Sequence, residues 1–169
     1  MNGTLRAVSE QVHGTCLDLG GAGVLLLGPS GAGKSDLALR LIDGGGPDGP
    51  RLVADDRVDL AIRDGRVWAR GPEALKGLLE VRGVGIMPMK HTAEVPLALV
   101  CDLVAPPLVD RLPEERATDI LGLNIPFIRL APFEASAPAK IRLALRRLPW
   151  DDAPTGDPGE TGRAGDGRP

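Results

Sequence analysis

Aromatic residues are scarce in this chain: two Phe, two Trp and no Tyr make up 2% of 169 residues. A function that stacks a run of bases along an aromatic surface is therefore not expected. An excess of positive charge is missing too. Twenty Lys and Arg against 23 Asp and Glu leave a formal charge of −3, which argues against binding carried mainly by nucleic-acid phosphates. Cysteines number two, Cys16 and Cys101, and both sit among apolar neighbours. Buried free thiols are expected there, not a disulfide or a metal site. No apolar run reaches the length of a membrane span, and residues 1–10 lack the apolar core of a signal peptide. These absences predict a cytoplasmic protein that binds neither nucleic acid nor membrane.

What is present is ordinary for a globular chain, with 43% hydrophobic and 25% charged residues. The distribution is uneven. Residues 151–169 hold five Gly, three Pro, five acids and two Arg, with two Ala as their apolar content. Such a stretch buries too little surface to offset the entropy of ordering it, which predicts a disordered tail. The tail carries the whole net charge, so residues 1–150 are formally neutral and form one domain.

The expected element order is two strands, a helix, then mostly strands and a closing helix. A strand over 12–19 pairs with the apolar run 24–27, and 34–42 has Leu37, Ala38, Leu41 and Ile42 at helical spacing. Strands follow at 51–54 and 58–63, and Asp64-Gly65 marks a tight hairpin into 66–69. A short helix over 73–78 leads into a strand at 79–82, and 97–104 reads as a central strand. Ser136 is placed to cap a helix over 138–147, with Ile141, Leu145 and Leu148 on one face. Many strands and few helices predict an α/β domain with a mixed sheet.

One motif dominates. Gly28-Pro29-Ser30-Gly31-Ala32-Gly33-Lys34-Ser35 fits G-x-x-x-x-G-K-[ST] in full, with an apolar strand before it and an amphipathic helix after it. The glycines let backbone N–H groups turn inward around phosphates, at the positive end of the following helix. Lys34 then reaches the β- and γ-phosphates, and the Ser35 hydroxyl holds Mg²⁺. Asp55-Asp56 ends the short strand at 51–54, where one carboxylate could join the metal and the other accept a proton. Asp102, at the end of an apolar strand, is a rival for the metal-side acid. His13 and Glu80 read more plainly from the residues alone: a hydrogen-bonded strand histidine and an edge-strand acid.

The order Val12-His13-Gly14, the glycine-rich loop, Arg51-Leu52-Val53-Ala54-Asp55-Asp56 and Leu79-Glu80-Val81-Arg82-Gly83-Val84-Gly85-Ile86 closely resembles the catalytic domain of bacterial HPr kinase/phosphorylase. That family phosphorylates a serine of HPr, the phosphocarrier of the sugar phosphotransferase system. The resemblance implies a P-loop α/β domain of the phosphoenolpyruvate-carboxykinase-like kind. It implies that Gly28, Pro29, Ser30, Gly31, Ala32, Gly33, Lys34 and Ser35 bind ATP, and that Ser35 and Glu80 hold Mg²⁺. By the same resemblance Asp56 is the general base, supported by Asp55 and His13, and Arg111 belongs to the active site. Asp102 is demoted.

The family also removes the phosphate again, with inorganic phosphate attacking phosphoserine. Three departures bear on the match. The family's N-terminal domain has no counterpart, the connection over 86–97 is short, and Arg129-Leu130-Ala131-Pro132-Phe133-Glu134 stands where the family has a glycine-arginine-asparagine segment. These favour the kinase half of the chemistry and leave the family's homo-oligomer open. A small-metabolite kinase and a non-catalytic ATP-sensing module are the competing expectations.

Overall fold

A computed structural model describes residues 8–114 and 116–149; the 151–169 segment expected to be disordered lies outside the described residues. The chain runs β1 (Ser9–His13), β2 (Thr15–Leu19), β3 (Ala22–Leu27), α1 (Lys34–Asp43), β4 (Arg51–Ala54), β5 (Arg57–Arg63), β6 (Arg66–Arg70), β7 (Leu78–Val81), β8 (Gly85–Pro88), β9 (Glu94–Leu103), β10 (Ala117–Ile120), β11 (Leu123–Leu130) and α2 (Ala137–Arg146). Nine strands form one sheet in the order β1-β5-β6-β9-β3-β2-β4, with β11 also beside β9 and β10 outside β11. β7 and β8 make a separate two-stranded ribbon.

The sheet is mixed, as expected, and β9 shows why. Its first residues pair antiparallel with β6, while its later ones run parallel to β3 on one side and to β11 on the other. An uninterrupted apolar strand suits this place, because both faces are covered. Alternation along the central strands sorts side chains between two cores. Leu17, Val24, Leu26, Leu99 and Cys101 face the side covered by α1 and α2. Cys16, Leu25 and Val100 face the opposite side, with Val58, Leu60 and Val67 of the β5–β6 hairpin. Helix α1 buries Leu37, Ala38 and Leu41 on the first side, and α2 buries Ala137 and Ile141. Both cysteines are free and buried, and burial pushes the Cys16 thiol up to about 12.

Several expectations need correcting. The single strand over 12–19 is two strands, broken at Gly14. A Cβ there would lie 2.8 Å from the Leu26 carbonyl oxygen, and the Gly14 N–H instead donates to the Asp56 carbonyl at 3.1 Å. In consequence β1 pairs with β5, and only β2 pairs with β3. The helix over 73–78 shrinks to one 3-10 turn, Glu73–Leu75, because the chain leaves the helical region at Lys76, with ψ 124°, and Gly77 follows at φ 71°. Ser136 does stand at the head of α2, but its hydroxyl makes no capping bond. The Asp64-Gly65 hairpin forms as expected, both residues having positive φ.

Candidate active site

The glycine-rich loop leaves β3 and enters α1 at Lys34, with Gly31 and Gly33 in the left-handed region. Lys34 is only 7% exposed. Its ammonium donates to the carbonyls of Gly28 at 2.7 Å and Pro29 at 2.9 Å. Burial holds its pKa below the usual lysine value, while the charges of Asp55 and Asp56 pull the other way. Beside the loop lies a cavity of about 470 Å³. Ser30, Gly31, Gly33, Lys34 and Ser35 line it with His13, Asp55, Asp56 and Glu80. Segments spread over almost 70 residues of sequence therefore converge on one space.

The two adjacent aspartates are used differently. Asp55 Oδ1 accepts from the Thr15 hydroxyl at 2.9 Å and from the Ser35 hydroxyl at 3.1 Å. Its Oδ2 accepts from the Glu80 N–H at 3.3 Å. Asp55 thus ties β2, the loop-helix junction and β7 together. Asp56 is exposed, and its Oδ1 lies 3.1 Å from His13 Nδ1. Its backbone has φ 69°, and the Arg57 N–H closes back on the Asp55 carbonyl at 2.9 Å. That is a tight three-residue turn with Asp56 at its strained apex. The Gly14 bond to the Asp56 carbonyl fixes the turn from outside.

His13 reaches this turn by a different route from the expected one. It lies on β1 opposite Arg57 of β5, not on a partner of the strand that feeds the loop. Glu80 is an exposed residue of the β7–β8 ribbon, next to Leu79, which is fully buried. Gly28, Pro29 and Ala32 belong to the same loop but are not among the residues lining the cavity; the Ala32 N–H bonds the Pro29 carbonyl at 3.0 Å.

Arg111 is not brought to this cavity. It is exposed in the irregular connection after the 3-10 turn Pro106–Leu108, and it is not among the residues lining the cavity. Asp102 is also outside the lining; its Oδ2 is 4.0 Å from Arg129 Nε, on β9 opposite Leu27. Sequence reasoning gave no role to Thr15, Arg82 and Phe133, although the first binds Asp55 and the other two line the cavity. For Thr15, a lone hydroxyl between Gly14 and the apolar run of β2 was the available signal.

Among the described residues, no group of three or more His, Cys, Asp or Glu is placed to hold a metal by itself, and no helix is long and apolar enough to cross a membrane.

Fold and cavity together define a sheet-dominated α/β domain with a lysine-bearing glycine loop set against paired carboxylates. A family model described as the HPr Serine kinase C-terminal domain matches residues 5–141, and the chain belongs to that family. The HPr kinase/phosphorylase of Streptococcus uberis is 38% identical over 138 residues, covering 75% of this chain and 43% of that protein. That of Peptoclostridium acidaminophilum is 48% identical over 86 residues, covering 50% of this chain and 27% of that protein. The chain thus spans less than half the length of these curated relatives. The Hpr(Ser) kinase/phosphatase structure from Coxiella burnetii superposes with a TM-score of 0.70 at 27% identity, over 82% of this chain and 89% of that one.

Proposed function

We propose that this chain is the catalytic domain of an ATP-dependent protein-serine kinase acting on HPr, with a P-loop fold of the phosphoenolpyruvate-carboxykinase-like kind. One observation carries the reading: Asp55 is tied to the loop hydroxyl of Ser35, while its neighbour Asp56 stays exposed beside His13. The division gives one carboxylate to the phosphate side and leaves the other free to meet an incoming hydroxyl.

The donors present suit the groups this chemistry needs. The Ser35 hydroxyl and the Asp55 and Glu80 carboxylates are hard oxygen donors, the type Mg²⁺ takes, and nucleotide phosphates complete its shell. Bound there, Mg²⁺ would neutralise charge on the phosphates. The Lys34 ammonium rests on two neutral carbonyls, partners that phosphate oxygens displace readily because they carry charge. The amides at the head of α1 add positive potential from the helix end.

In the forward reaction the serine oxygen attacks the γ-phosphorus, the bond to the β–γ bridging oxygen breaks, and ADP leaves. Asp56 takes the serine proton, and His13 orients the carboxylate through Oδ1. Lys34 meets charge as it moves onto the phosphate oxygens. In the opposite sense, an oxygen of inorganic phosphate attacks phosphoserine, pyrophosphate forms, and Asp56 returns the proton to the departing serine oxygen.

The test is label transfer from γ-labelled ATP, with Mg²⁺, to purified HPr and to HPr with its acceptor serine replaced. Asp56→Asn keeps a residue type that tolerates positive φ but cannot take the proton. Transfer is expected to fall by about 10²–10⁴-fold in that variant, with ATP binding retained. Wild-type transfer by Asp56→Asn would remove the assigned base, and no transfer by the unaltered protein would remove the kinase reading.

A further inference from the structure

Phe133 is 70% exposed at the edge of the cavity, in a chain that has two Phe and no Tyr. The proposed phosphoryl transfer makes no use of it. The backbone that carries it is braced from several directions. Ala131 and Pro132 before it are buried. The Arg40 guanidinium donates to the carbonyls on either side of Phe133, those of Pro132 and of Glu134, and is itself paired with Asp36 at 2.9 Å. Glu134 is held in turn by the Lys140 ammonium. The ring edge rests on the glycine-rich loop: a Cβ on Gly33 would fall 2.9 Å from Phe133 Cζ and 3.0 Å from Cε1. An apolar ring with most of its surface open, on backbone held this firmly, is built to receive something flat.

Helix geometry says what arrives there. Ser35 and Leu39 share one row of α1, and Asp36 and Arg40 share the next. The first row turns to Asp55 and the β7 side; the second turns to the 132–134 segment. The ring and the carboxylates therefore meet different faces at the head of α1, the ring against Gly33 and Asp55 against Ser35, at one shared cavity. A nucleotide that lays its phosphates on the loop and points its γ-end at Asp56 has to place its base away from the acids.

We propose that Phe133 is the platform on which the nucleobase of the bound nucleotide stacks. This rests on the reading of the loop as a nucleotide site. Stacking tolerates any base, since each has a π-face. The platform thus adds affinity for nucleoside triphosphates over bare polyphosphate and selects only weakly among purines.

The experiment compares binding of ATP and of inorganic tripolyphosphate, each with Mg²⁺, by titration calorimetry. It uses the whole chain, Phe133→Ala, Phe133→Leu and Phe133→Tyr. Phe133→Ala is expected to weaken ATP on the order of tenfold, Phe133→Leu by less, and Phe133→Tyr hardly at all. Tripolyphosphate should bind all four proteins alike. Thermal unfolding checks that the variants fold, and Phe133→Leu keeps apolar bulk against Gly33. Equal ATP affinity in wild type and Phe133→Ala would overturn the stacking role and leave the nucleotide site intact. Equal loss of ATP and tripolyphosphate would overturn it too, since the ring would then only shape the loop. So would unchanged ATP affinity with a raised KM for HPr, which would make the ring a protein contact. If the unaltered chain bound neither ligand, the nucleotide reading itself would fall, and the platform with it.

Discussion

Two flanks of the same helix terminus are assembled in opposite ways. On the Ser35 side of α1, polar groups from β1, β2, the β4–β5 turn and β7 meet within hydrogen-bond reach, and Thr15 at their base is fully buried. On the Arg40 side one exposed ring stands on a single braced turn. The acid flank depends on four segments keeping register, so a small displacement changes where the Asp56 carboxylate stands beside His13. The aromatic flank needs only a surface at the right height. Damage to the first should appear in the rate of transfer, as Asp56→Asn tests. Damage to the second should appear in nucleotide affinity, as Phe133→Ala tests.

The largest stability effect that separates the flanks is expected from Leu79→Ala. Leu79 is fully buried in the helix-side core, and through it β7 is held against α1. Glu80 next to it is exposed at the cavity. Truncation costs transfer energy plus a cavity, about 2–5 kcal/mol, and should be read from the midpoint of urea unfolding. The ribbon carrying Glu80 and Arg82 loosens, so transfer to HPr should fall more than ATP affinity does. A cost below about 1 kcal/mol would show that β7 is held by something other than Leu79.

How far each flank was legible in the sequence follows from the same contrast. The loop over 28–35 was readable because the motif fixes Gly28, Gly33, Lys34 and Ser35 at set spacing, residue types that phosphate and metal binding call for. The Asp55-Asp56 pair was readable as a pair, but its division of labour was not. That division depends on Thr15, forty residues away, and on a turn whose strain no propensity announces. His13 was given the wrong neighbour because Gly14 looked like one more strand residue, when its N–H is the bond that pins Asp56. Family resemblance pointed to Arg111, and the structure leaves it on an exposed connection. β11 was missed because Pro126 lies inside it and argues against a strand. Phe133 was hidden by composition itself: 2% aromatic content discourages an aromatic surface, yet a single base needs a single ring.

A smaller effect on the other flank is expected from Arg40→Met. The substitution keeps an apolar stem of similar length and removes the donors that brace the Phe133 turn. Losing bonds of this kind at a half-buried site should cost about 1–2 kcal/mol. ATP affinity should fall a few-fold while tripolyphosphate binding and the Asp56-dependent step are spared. If transfer fell as steeply as in Asp56→Asn, the two flanks would not be separable, and the comparison would fail.

The smallest effect tests whether the brace ends at Glu134 or continues into α2. Ser136 heads that helix, and a serine in that place normally accepts a bond from an amide in the first turn, so that its loss costs 0.5–2 kcal/mol. Here its backbone is already helical, at φ −79° and ψ −6°, and its hydroxyl makes no capping bond. The start of α2 is instead held through backbone, the Ala137 N–H on the Glu134 carbonyl at 3.0 Å and the Lys140 N–H on the Ser136 carbonyl at 2.9 Å. Ser136→Ala leaves both bonds in place. Its unfolding free energy should stay within about 0.5 kcal/mol of wild type, with ATP affinity unchanged. A loss of about 1 kcal/mol or more would mean that the hydroxyl caps α2 in solution, and that the Phe133 turn is braced from the helix as well as from Arg40.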